Sequence, residues 1–169
     1  LYNGIADYMA KRAAGLAGGF YDVSINRSQA HRANQTFVSN TTTFEATDAL
    51  TLKNIFGYNK VVSSDLLDVD GSPYEFFGAT GGPTQQIWGG TYDGNGYIFG
   101  TRQWSDELQA SGETGALKYI VGAFISEEQT FSYIPVTILP DFGLAYLGSY
   151  ESTSIDKSRA LYAQLTYAV

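Results

Sequence analysis

Leu117-Lys118-Tyr119-Ile120-Val121-Gly122-Ala123-Phe124-Ile125 is the stretch whose reading decides the fold class. Its odd positions, Leu117, Tyr119, Val121, Ala123 and Ile125, are apolar without a break. A period of two marks a strand whose successive side chains point to opposite faces. The strand reads as Ala116 to Tyr133. Just before it, Glu113-Thr114-Gly115 reads as a tight turn, and Thr101 to Gly112 (TRQWSDELQASG) as the partner strand. There Ser105, Glu107, Gln109 and Ser111 share a polar face opposite Trp104, Leu108 and Ala110. Asp106 falls on the apolar side, which asks that it lie near a polar boundary.

The same unit recurs upstream. Gln35 to Ala46 is a strand rich in Thr, Phe and Val, Thr47-Asp48-Ala49 is a tight turn, and Leu50 to Val62 is the partner. Leu50, Leu52, Phe56 and Tyr58 form one face of that partner, with Asn54 among them; Thr51, Lys53, Gly57 and Asn59 form the other, with Ile55. A fifth strand, Lys157 to Val169, places Leu161, Ala163, Leu165 and Tyr167 together. Long loops are expected at 63–100 and 134–156. Short turns alternating with long loops, and strands of about a dozen residues against a usual mode of about 5–6, are the habit of outer-membrane barrels. The fold expected is all-β: an antiparallel up-and-down meander of about five long strands from a transmembrane β-barrel, with one short N-terminal helix. That helix would carry Ile5, Tyr8, Met9, Ala13 and Leu16 and stop at Gly18-Gly19, within a helix-containing and extracellular loop segment 1–34. Barrel strands with their loops would occupy 35–169.

Composition agrees with this picture. Aromatics make up 15% of the 169 residues and charged residues only 16%, against the roughly 25% charged residues of soluble domains. Aromatic girdles and sparse charge suit a membrane barrel. The net charge of −7 argues against a nucleic-acid partner, which needs a basic stripe. With no cysteine there is neither a disulfide framework nor a thiolate metal site. Leu1 in place of Met is read as a cut inside a longer protein.

Four segments resemble one family, the TonB-dependent outer-membrane receptors. Thr42 to Tyr58 (TTFEATDALTLKNIFGY) looks like the first hairpin of many such barrels. Trp104 to Gly112 looks like their S-x-E-L-x-x-S-G strand, Leu117 to Phe124 like the L-x-Y-x-x-G-x-F strand that follows, and Ala160 to Tyr167 like their A-L-F-x-Q-x-T-Y strand. The resemblance covers about residues 35 to 169. It implies part of a receptor in the bacterial outer membrane, with a barrel of about 22 strands closed by a plug. Such a receptor takes up a scarce nutrient, such as a ferric siderophore, using energy from the TonB complex. The plug, the TonB-box segment and the final aromatic-ended strand have no counterpart here.

Site chemistry is sparse. The aromatic-glycine stretch offers Trp88, Tyr92, Tyr97 and Phe99 as candidate ligand contacts, against the plainer reading of aromatics that pack a loop or form a girdle. The run Asp65, Asp68, Asp70, Gly71 fails as a calcium loop, because Leu66 and Phe77 fall where ligands are required. A single His, His31, leaves no triad or His metal cluster to assemble. Glu127 and Glu128 point to opposite faces and cannot act as a pair. Gly81-Gly82-Pro83 and Gly94-Asn95-Gly96 match no phosphate loop. No enzyme and no cofactor is expected; the partners expected are outer-membrane lipid, a small nutrient ligand and the TonB complex through the plug. The alternative is a soluble β-sandwich or barrel that binds carbohydrate or another surface ligand through its Gly-aromatic loops. If the apolar face is meant for lipid, the isolated chain should self-associate in detergent-free buffer. Sedimentation velocity checks this, and a monodisperse monomer would contradict it.

Overall fold

The structure is a computed structural model that describes residues 6, 7, 9, 10, 27–68, 77–138 and 146–168. The strands are β1 (Ala30–Thr47), β2 (Leu50–Leu66), β3 (Phe77–Gly78), β4 (Gln85–Ile87), β5 (Gly90–Tyr92), β6 (Tyr97–Thr114), β7 (Leu117–Ile138) and β8 (Tyr146–Tyr167). One sheet has the order β1-β2-β6-β7, with β8 and β3 also pairing β7; β4 and β5 form a separate hairpin. The five long strands therefore follow one another in an antiparallel meander, as the alternating pattern requires. The short N-terminal helix is not shown, since most of its residues lie outside those described.

Strand limits differ from the sequence reading. β1 starts at Ala30, so the polar segment around His31 is strand rather than loop. The expected loop 63–100 contains the end of β2, three short strands and the start of β6. The expected loop 134–156 is mostly strand, with β7 running to Ile138 and β8 starting at Tyr146. On β7 the period of two continues in burial: Tyr133, Pro135 and Thr137 are buried while Val136 is exposed. The start of β8 is rich in Ser and has no apolar alternation. Pairing with β7, rather than local preference, makes it a strand.

The chain divides into two compact units, and the long strands contribute to both. One unit holds residues 33–63, 99–132 and 152–169. Within it, no described residue of 33–61, 101–132 or 152–168 is buried. Among its described residues only Val62 and Gly100 are buried. Leu161, Leu165 and Tyr167 are 86%, 68% and 70% exposed. The other unit holds residues 1–32, 64–98 and 133–151. It has a small core of Ala79, Ile87, Ile98, Tyr133 and Pro135. There the Thr137 hydroxyl donates to the Thr80 carbonyl at 2.6 Å and accepts from the Thr80 amide at 3.1 Å.

Gly112 sets how closely the first unit's strands approach. A methyl group there would fall 1.9 Å from the Ala49 carbonyl oxygen and 2.6 Å from the Tyr119 hydroxyl, which itself donates to Ala49 at 3.1 Å. Backbone cannot yield as a side-chain tip can. Gly112→Ala should cost about 1–3 kcal/mol, whereas Ser111→Ala should stay within about 0.5 kcal/mol. Urea denaturation of the refolded chain measures both.

Candidate functional site

The first unit carries chemistry on two opposed faces. Arg102 donates to Gln129 at 2.6 Å, and Trp104 lines one groove with Ile125 and Glu127. These contacts put the even positions of β6 beside the odd positions of β7. On the other edge of β7, the Ala168 amide donates to the Ala116 carbonyl, Tyr162 covers Gly122, and Lys157 pairs with Glu127 at 3.2 Å. All three fit one unbroken register. One face therefore collects Leu108, Ala110, Leu117, Tyr119, Val121, Ala123, Ile125, Leu161, Ala163, Leu165 and Tyr167. Its apolar part lies toward the short turns, and charge follows from the level of Ile125 onward.

Two polar residues break this apolar face, and they meet. The Asn54 amide donates to the Asp106 carboxylate at 2.6 Å, and more weakly to the Glu107 carbonyl at 3.4 Å. Register brings Asp106 level with Ile125, at the charged end of the apolar band. An acid that the strand pattern alone leaves stranded thus has a partner and a polar boundary.

The opposite face carries Ile55, Ile120 and Phe124 together with a connected set of polar side chains. Glu107 accepts from the Tyr162 hydroxyl at 2.5 Å and from the Gln109 amide at 2.7 Å. The Lys53 charge acts on it from β2. Tyr162 reaches Glu107 by lying flat over Gly122, where an added methyl group would be 2.3 Å from the ring. Gly122 thus lets a β8 side chain cross β7 and hold a β6 carboxylate. Gln35 donates to Asn59 at 3.1 Å on the same polar side.

The second unit holds most of the aromatic-glycine stretch. Trp88 (φ 46°) and Gly89 (φ 83°) form the two-residue turn of the β4–β5 hairpin, with Gln85 opposite Tyr92. Positive φ at both positions is the turn geometry that matches strand twist, but it is uncommon for a residue as bulky as Trp. The Tyr92 ring packs over Gly90. Tyr97 opens β6, and Phe99, exposed, belongs to the other unit. The four candidate ligand contacts are spread over a hairpin and a long strand rather than gathered on one element. The glycine motifs 81–83 and 94–96 are joined by polar bonds: Asn95 accepts from the Gly81 amide at 2.8 Å, and Gly96 donates to Ala79 at 2.5 Å. His31 pairs with Asp65, so one acid of the rejected calcium run is engaged between β1 and β2.

Searches of family models, curated proteins and solved structures find no match to this chain.

Sequence reasoning passed over Tyr162, whose role depends on a register that periodicity does not contain. It noted Asn54 and Asp106 as exceptions but did not pair them; that two exceptions fell on neighbouring strands of one face was the available signal. It also passed over Tyr133. This hydroxyl is buried without a hydrogen-bond partner among the described residues. Burial first, and the neighbouring Tyr146 second, push its pKa above the ordinary phenol range. The fold thus favours the neutral phenol, and stability is lost as rising pH ionises the unfolded chain at about pH 10. Tyr133→Phe should leave stability at neutral pH unchanged or raise it by about 1–2 kcal/mol, and should flatten the alkaline loss. Thermal melts at neutral pH and above pH 10 test this, and a clear drop at neutral pH would show that the hydroxyl is bonded.

Proposed function

We propose that the chain is part of a TonB-dependent receptor of the bacterial outer membrane, its five long strands forming a section of barrel wall. The parent protein would take up a scarce nutrient such as a ferric siderophore. The observation that carries the barrel wall is a sheet in which no described residue of 33–61, 101–132 or 152–168 is buried, apolar on one face and hydrogen-bonded through polar side chains on the other. A water-soluble sandwich would set a second sheet against Leu117, Val121, Leu161 and Leu165. Among the described residues these side chains are exposed.

The dimensions are consistent with hydrocarbon. From Leu117 to Ile125, at roughly 3.4 Å per residue, the strand rises roughly 27 Å. At a tilt near 40° that gives about 20 Å of height, close to the ~25 Å apolar band of such barrels. Glu107, Gln109 and Tyr162 then face a wet interior. The transport role and the nutrient rest on the ordered strand motifs at 42–58, 104–112, 117–124 and 160–167. Coupling to the TonB complex is assigned to the parent's plug, and catalysis has no place in this reading. Trp88, Tyr92, Tyr97 and Phe99 remain candidates for contact with the nutrient.

The chain has no cysteine, so single-cysteine scanning needs no background changes. With the chain in lipid vesicles, Ser105→Cys and Gln109→Cys should react with a water-soluble maleimide at least about tenfold faster than Leu161→Cys and Leu165→Cys. Equal rates on the two faces would overturn the barrel-wall reading.

A further inference from the structure

The boundary where the apolar face turns charged carries its own pattern. On β2, β6, β7 and β8, strand alternation and register place Lys60, Arg102, Lys157 and Arg159 along this boundary, with Asp106 and Glu127 as the carboxylates among them. The chain as a whole has a charge of −7, yet here cations outnumber acids. Both acids are engaged, Asp106 by Asn54 and Glu127 by Lys157. The Arg159 guanidinium has no hydrogen-bond or ion-pair partner among the described residues. It borders an open groove of about 360 Å³ whose other walls include Trp104, Ile125, Glu127 and Lys157.

We propose that this groove receives the phosphate of an anionic lipid headgroup. The inference rests on the barrel-wall reading and adds to it a defined lipid contact. Arg159 supplies a planar fork of donors suited to phosphate oxygens, and Lys157 a second positive charge once Glu127 is shared. The Trp104 indole has an apolar body and a polar N–H, the combination that settles at the level of headgroups. Below the groove, Ile125, Val121, Leu161 and Leu165 continue as an exposed apolar strip. A ligand with an anionic head and hydrocarbon tails matches both parts. Inorganic phosphate would leave the strip uncovered, which is why the groove is assigned to lipid.

Co-flotation of the chain with vesicles tests this. One set is phosphatidylcholine alone; the other contains about a third phosphatidylglycerol. The chain should float with both sets and bind the anionic set more tightly. The double variant Arg159→Gln, Lys157→Gln should lose about fivefold or more of that preference, the scale of one or two cations at an anionic surface. Lys118→Gln, which removes one positive charge beside the short turn, should keep it. If the parent chain shows no preference, or the double variant retains it, the headgroup site is overturned while the barrel wall stands. If the preference disappears in millimolar inorganic phosphate at constant ionic strength, the groove is a soluble-anion site and the proposal fails. If the chain floats with neither set, the barrel-wall reading itself falls.

Discussion

An antiparallel sheet satisfies its own backbone groups but leaves both faces to whatever surrounds it. In the unit made of residues 33–63, 99–132 and 152–169, that property governs everything else. Each large apolar side chain gains about 1.5–3 kcal/mol on leaving water. Leu117, Val121, Ile125, Leu161 and Leu165 lie exposed on one continuous face, so the chain forgoes much of that gain unless something else covers them. The other face is held by Glu107, Gln109 and Tyr162 and calls for water. A surface needing two different media is the physical basis of the barrel-wall proposal.

The polar exceptions support the same constraint. Asn54 and Asp106 would each be costly on an apolar face, and each lowers the other's cost through a 2.6 Å hydrogen bond. On the polar face, the absence of a side chain at Gly122 allows the Tyr162 ring to lie across β7. One strand position left empty thus ties three strands together. The second unit works differently. Ala79, Ile98, Tyr133 and Pro135 are buried, and Thr80 and Thr137 bond to each other, so this part of the chain has a core of the usual kind.

Much of the architecture was legible in the residues. The odd positions from Leu117 to Ile125 announced a two-faced strand, and the turns at Thr47-Asp48-Ala49 and Glu113-Thr114-Gly115 placed the hairpins within a residue or two. Strand ends were harder to read. Tyr146 to Asp156 contains Gly and many Ser and Thr, which locally favour turns, and only the hydrogen bonds offered by β7 keep it extended. The candidate ligand aromatics could be selected by type. Their placement on a Trp88-Gly89 turn and a separate strand depends on how distant segments meet.

By itself the sequence determined the period of each long strand, hence which side chains are greasy and which are polar on its two surfaces. That follows from the fixed alternation of Cβ directions along extended backbone. Tertiary structure alone decided the register between strands. It brought Asn54 to Asp106, Tyr162 to Glu107 and Lys157 to Glu127, and left Arg159 without a partner among the described residues. Register is a relation between chains of atoms far apart in sequence, set by cooperative pairing across the whole sheet, and no single strand contains it.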